Sequence, residues 1–235
     1  MARARPGSAE HDARELAAEG PGAALAPELA AWLADSPRFA AFIATHRSKV
    51  RKKLRGAADE PAVRDVRAEL AVAWRLLSDR RFELAFEAYG RTGGPDFTVG
   101  YRAGRPFNIE VTRMRRPPDA AAIAGVVLGK LHQLPPSIAN LLLVVVDEGA
   151  ASDADVGAAV RTMRAHADAK DEAYFAFRGI AGSRTFYDRF LRLAGVVVWS
   201  EATEGVQRAA AWTNGSARIA VPEATLRAVL ACLRA

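Results

Sequence analysis

The sequence predicts an α/β fold: a mixed central sheet flanked by helices, built on the element order α-β-β-β-α-β. Three observations predict it. Residues Glu60 to Leu77 carry an apolar stripe of helical period. Three β-prone segments, from Phe82, Asp96 and Phe107, are separated by glycine- and proline-rich breaks. Finally, Asn140 to Asp147 is almost continuously apolar, as a strand covered on both faces should be.

The chain has 235 residues, half of them hydrophobic, enough to bury a core in one domain. The reading is therefore a single domain over 28–235, its core at about 60–147. Residues 1–27 mix Ala, Gly, Pro and scattered charge without sustained period and read as a mobile arm. With Lys and Arg at 33 against Asp and Glu at 27, the net charge is +6, which favours an anionic partner. The Ala-, Arg- and Gly-rich composition discounts that inference, because base bias in a genome raises the basic count without selection for binding. Cys232 is the only cysteine, which excludes an intramolecular disulfide and a cysteine zinc site and fits a reducing compartment. Met1 to Gly7 lacks the apolar stretch of a secretory signal, and no later run approaches membrane length. The expectation is a cytoplasmic protein with no membrane association.

Along the chain, Phe39, Phe42, Ile43, Val50 and Leu54 predict a helix from Ser36, with Ser36 as N-cap and Pro37 in the first turn. The second helix spans Glu60 to Leu77. Strands follow at Phe82 to Ala88, Asp96 to Arg102 and Phe107 to Thr112, with the hairpin turning about Gly104. Asp119 caps a helix that runs to about Leu134, where Pro135 and Pro136 stop it. After the apolar strand come a helix from Asp153 to about Lys170, a short strand at Tyr174 to Phe177, and a helix at Ser183 to Leu193. Strands at Gly195 to Trp199 and Ala209 to Trp212 and a helix from Pro222 complete the chain. Trp74, Trp199 and Trp212 read as core, and Trp32 as exposed.

The chemistry concentrates in Gly94-Pro95-Asp96-Phe97-Thr98-Val99 and Phe107-Asn108-Ile109-Glu110-Val111-Thr112-Arg113. A hairpin turning about Gly104 brings Asp96 near Thr112 on the partner strand. Alternation sends Asp96, Glu110 and Thr112 to one face and Ile109 and Val111 into the core. Mg²⁺ takes a few carboxylates, retained waters and phosphate oxygens, so two carboxylates on neighbouring strands suit it or Mn²⁺.

Pro95-Asp96 followed by Glu110-Val111-Thr112, within the order α-β-β-β-α-β, resembles the PD-(D/E)XK, or restriction-endonuclease-like, nuclease superfamily. The resemblance covers Glu60 to Asp147. It implies a Mg²⁺- or Mn²⁺-dependent nuclease acting on nucleic acid, DNA foremost, with Asp96 and Glu110 as metal ligands and a homodimer as one common arrangement. Family members often add an acidic residue from the preceding helix, where Glu69 is the best match. Thr112 stands where the family usually carries its lysine. Some members supply that lysine from the following helix, which points to Lys130, with Gln133 three residues on assisting orientation.

A phosphate-backbone track would draw on Arg47, Lys49, Arg51, Lys52 and Lys53, with Arg113, Arg115 and Arg116. Each assignment has an ordinary alternative. Asp96 could start a strand by bonding backbone amides, Glu110 could be solvated on an amphipathic strand, and Glu69 and the basic run could form solvated helix faces. Lys130 could simply snorkel at a helix end. Three functions therefore stand side by side: a nuclease, a nuclease-like module that binds without cutting, and an unrelated α/β interaction domain.

Overall fold

The computed structural model describes residues 6–17, 20–89, 94–201 and 208–235, so the breaks expected at Gly90 and Gly93 lie outside the described residues. Where the sequence suggests one domain over 28–235, the chain divides into two units, Met1–Leu84 and Ala85–Ala235.

The first unit is helical: α1 (Pro6–Leu16), a 3₁₀ segment (Gly20–Leu25), α2 (Ala26–Asp35), α3 (Pro37–Gly56) and α4 (Glu60–Leu77). The two long helices start on side-chain caps. Ser36 Oγ accepts from Phe39 N at 3.2 Å and Asp59 Oδ1 from Ala62 N at 2.8 Å, each satisfying a donor with no partner in the helix itself. Within the arm read over 1–27, the described residues are largely helical, because Ala9, Ala13, Leu16 and Ala17 form a buried stripe whose small side chains gave it little weight in the sequence. Arg47 fixes α1 to α3 through Asp12 at 3.2 Å and Glu15 at 2.7 Å. Arg38 closes the end of α4 by donating to the carbonyls of Leu77 at 3.0 Å and Asp79 at 2.7 Å, and to that of Phe82. Trp32, read as exposed, is buried: it stacks on Trp74 with centroids 5.4 Å apart, and Trp74 keeps part of its surface exposed.

In the second unit the strands β1 (Phe82–Phe86, which crosses the division), β2 (Phe97–Tyr101), β3 (Phe107–Met114), β4 (Ala139–Val146), β5 (Leu193–Ser200) and β6 (Arg208–Thr213) form a six-stranded sheet in sequence order. The β2–β3 and β5–β6 pairs are antiparallel; β3–β4 and β4–β5 are parallel. Parallel neighbours need crossovers. These are α5 (Ala120–Lys130) between β3 and β4, and α6 (Asp153–Asp168), α7 (Glu172–Ala176) and α8 (Ser183–Phe190) between β4 and β5. Helix α9 (Glu223–Arg234) packs against β6. The expected core order is thus present as α4-β1-β2-β3-α5-β4.

Four local expectations change. Phe97 pairs with Ile109 and Val99 with Phe107, so the ladder continued by one residue sets Asp96 opposite Glu110 rather than Thr112. The turn centres earlier than Gly104, with Arg102 at φ 51° and Gly104 N donating to Tyr101 O at 3.1 Å. The strand read at Tyr174 to Phe177 is helix α7, started by the Asp171 carboxylate accepting from Tyr174 N at 3.1 Å; so short an apolar run carries no decisive period. Finally, helix α5 ends at Lys130 and tightens into a 3₁₀ turn at Leu131–Gln133 before Pro135.

The core of this unit lies between the sheet and α5, α6 and α8. Met114, Leu142, Val144, Val146, Val196, Val198 and Ala210 meet Ile123, Val127, Val156, Val160, Phe186 and Phe190. The opposite face, with Ile109, Val111, Leu141, Leu143, Val145, Val197 and Trp199, is buried as well. Among the described residues no helix is long and apolar enough to cross a membrane.

A polar ladder crosses the apolar strands. Thr98 Oγ1 donates to Asn108 Oδ1 at 3.0 Å, and Asn108 Nδ2 donates to Tyr89 Oη at 2.9 Å and Asn140 Oδ1 at 3.0 Å. Asn140 Nδ2 lies 2.9 Å from the carbonyls of Pro135, Ile138 and Arg192. Asn108 and Asn140 are fully buried and occupy one rung of the β3–β4 register, so a slip of that register would strand both amides. Replacing Asn140 with Ala is expected to cost at least ~2 kcal/mol, since buried carbonyls and the Asn108 amide lose their partner. Urea unfolding of the two proteins measures it.

The first unit carries a pH dependence at the kink in α3, where His46 has φ −106° and packs on Phe42. Burial, with Lys49 as a second cause, lowers the His46 pKa from its ordinary value. The unfolded imidazole therefore takes up a proton before the folded one does. This contribution to stability is whole above the ordinary histidine value and is lost as pH falls through the lowered one. His46→Phe is expected to flatten the fall in urea midpoint on acidification from neutral pH. An unchanged slope would assign the dependence to other groups.

Candidate functional site

Glu110 sits in the middle of β3 beside Leu142 of β4, and only 3 % of its surface is exposed. It is therefore not a solvated residue of an amphipathic strand. It lies on the strand face that carries Met114, against which α5 packs, because the crossover between two parallel strands covers that side. A carboxylate left unpaired there would neutralise or destabilise the fold. The partner is Lys130, whose Nζ lies 2.8 Å from Glu110 Oε1 and 3.2 Å from Gln133 Oε1. The last residue of α5 is a favourable place for a cation, and the 3₁₀ turn that follows keeps Gln133 within reach of it.

Asp96 precedes β2, where the ladder with β3 runs out. Its Oδ2 accepts from Val111 N at 2.8 Å, so the side chain adds one rung that the backbone does not supply. The strand-starting role is thus observed, and the ladder continued by one residue sets Asp96 opposite Glu110. Thr112, one rung beyond, is partly exposed and pairs with Val144.

Glu69, on α4 of the first unit, is engaged by Lys53 of α3 at 2.5 Å. Among the described residues no group of three or more His, Cys, Asp or Glu side chains is placed to hold a metal ion. What the second unit offers is a carboxylate pair, Asp96 and Glu110. That pair fits a Mg²⁺ that keeps most of its waters and takes further oxygens from a phosphate; it does not fit a closed cage made by protein alone.

The basic residues divide between internal and outward roles. Arg47 and Lys53 are ion-paired within the first unit, and Arg113 is paired with Asp147 at 2.5 Å in the second. Arg115 and Arg116 are exposed between β3 and α5. In α3, Lys52 is exposed while Lys49 and Arg51 are partly buried. The sequence reading did not single out the Thr98–Asn108–Asn140–Tyr89 ladder, although Asn108 lies two residues from Glu110 on the same strand. Its signal was present: two asparagines at the start of strands that are otherwise apolar.

No family model, curated protein or solved structure matches the chain. The site therefore stands on its own geometry.

Removing the ammonium from Lys130 takes one charged partner from the buried Glu110 carboxylate. Lys130→Ala is expected to cost about 3 kcal/mol, the low end for a broken buried pair because the lysine side chain is 27 % exposed. The Glu110→Leu/Lys130→Met double variant should recover most of that loss, which thermal and urea unfolding would show. A double variant as unstable as the single would mean that the pair holds the strand by more than charge.

Proposed function

We propose that the chain is a metal-dependent phosphodiesterase of the restriction-endonuclease-like kind that hydrolyses nucleic acid, with DNA as the preferred substrate. One observation carries this reading. Lys130 reaches the Glu110 carboxylate from the next helix at 2.8 Å, which supports reading it as the stand-in for the lysine absent at position 112. The order α4-β1-β2-β3-α5-β4 and the placement of Asp96 opposite Glu110 support it.

In this reading Asp96 and Glu110 hold Mg²⁺ or Mn²⁺. When bound, the ion supplies polarisation of the scissile phosphate and a water acidic enough to attack it. The remaining work falls to the chain. Val111 N orients the Asp96 carboxylate, Gln133 accepts from Lys130 and limits its rotamers, and Lys130 offers its remaining donor to a phosphate oxygen as negative charge builds on it. With no substrate present, Lys130 donates to the Glu110 carboxylate. Arg115 and Arg116 are exposed for backbone phosphates. Glu69, held by Lys53, has no part in the step.

A second reading, binding without cleavage, draws on a specific observation: Asp96, Glu110 and Lys130 all have partners inside the protein, and among the described residues no group of three or more potential ligands is placed to hold a metal. Incubating the full chain with supercoiled and single-stranded DNA in Mg²⁺ or Mn²⁺, against a chelator control, separates the two. Cutting is expected to vanish in Asp96→Ala and to slow by roughly 10²-fold or more in Lys130→Met, with melting temperatures recorded for each. DNA retained but never cut, equally by wild type and Asp96→Ala, would replace the enzyme with a binding module.

A further inference from the structure

Not all of the basic run in α3 is spent on internal pairs. Arg47 goes to Asp12 and Glu15, and Lys53 to Glu69. One turn on from Arg47 the same helix face opens into a groove of about 620 Å³, lined by Thr45, Ser48, Arg51, Lys52 and Arg55 as well as Arg47. No acidic residue is among the described residues that line it. Arg51 and Lys52 have no acidic partner among the described residues, and the Arg51 Nε is buried without a hydrogen bond. Cations without an acidic partner along an open groove can meet an anionic oxygen without giving up an internal pair. The helical spacing of Ser48, Arg51, Lys52 and Arg55 places one hydroxyl and three cations along a single track. That arrangement matches a run of phosphates better than one isolated anion.

We infer that this groove in the first unit is a second nucleic-acid contact, a backbone-phosphate site that binds without reading sequence, in which Arg51, Lys52 and Arg55 supply the charge and Ser48 a hydrogen bond. It rests on the nucleic-acid reading above but not on the chemistry of Glu110 and Lys130. The site assigns Arg47 and Lys53 to the architecture of the unit and separates them from the cations that meet the ligand. Binding through it is electrostatic and falls with salt, because each neutralised phosphate releases condensed counterions.

The test is fluorescence anisotropy of the full chain with a short labelled DNA duplex, in chelator so that nothing is cut, across about 50 to 200 mM salt. Arg51→Gln/Lys52→Gln is expected to weaken binding on the order of tenfold and to lower the slope of log affinity against log salt by about 2. Arg227→Gln, which removes an exposed cation on α9, should leave both unchanged. If the double variant melts early, Lys52→Glu, a change at an exposed position, must show the same direction. Unchanged affinity and slope in the groove variants would overturn the site, as would wild-type binding to anionic vesicles or inorganic phosphate in preference to DNA. The two proposals fail separately. Cleavage that survives intact in the groove variants, with binding unaltered, removes this site and leaves the nuclease. Groove-dependent binding without any cleavage removes the nuclease and leaves this site.

Discussion

In the second unit, strands β3, β4 and β5 run parallel and are buried on both faces, and most of what is distinctive about the chain follows from that constraint. Parallel strands cannot be joined by tight turns, so α5 and then α6 to α8 must carry the chain back, and both crossovers cover the face that holds Glu110. Strands covered on both sides must be apolar at nearly every position. The runs Ala139–Val146 and Leu193–Ser200 meet that demand, with every residue buried. Each polar group that intrudes has to bring its partner along.

Two intrusions show how this is done. Asn108 and Asn140 answer each other across the β3–β4 register and pass their remaining hydrogen bonds to Thr98, Tyr89 and three backbone carbonyls. Glu110 is answered by Lys130, drawn in from the end of the crossover helix. The asparagine ladder needs no charge and fixes register. The ion pair is a different matter, because an apolar pair of similar volume would serve the fold at least as well. A buried charge pair next to a carboxylate on the neighbouring strand is an expensive way to pack a sheet, which is the physical reason for reading it as chemistry.

The excess of basic residues resolves in a similar way. A net charge of +6 says little until the cations engaged within the protein are set aside. Arg38 closes a helix end, Arg47 holds α1, Lys53 meets Glu69, Arg67 grips Glu28 and Arg113 meets Asp147. Arg51 and Lys52, which have no acidic partner among the described residues, line the groove on α3.

By itself the sequence determined the order from α4 to β4, the helix starts at Ser36, Glu60 and Asp119, and the near-continuous burial of β4, because caps, prolines and hydrophobic period are local signals. It also placed Lys130 and Gln133 on one side of a helix end and Asp96 and Glu110 on neighbouring strands. It missed α1, whose buried stripe is mostly alanine, and it read α7 as a strand, because a few aromatic residues fit either period. Only the tertiary structure decided that Asp96 stands opposite Glu110, that Glu110 faces a buried cluster rather than water, and which arginines and lysines are consumed by acidic partners. Those outcomes depend on hairpin register, on the side taken by the crossovers and on pairing between residues far apart in the chain. Each is a property of packing, and no local run of residues encodes it.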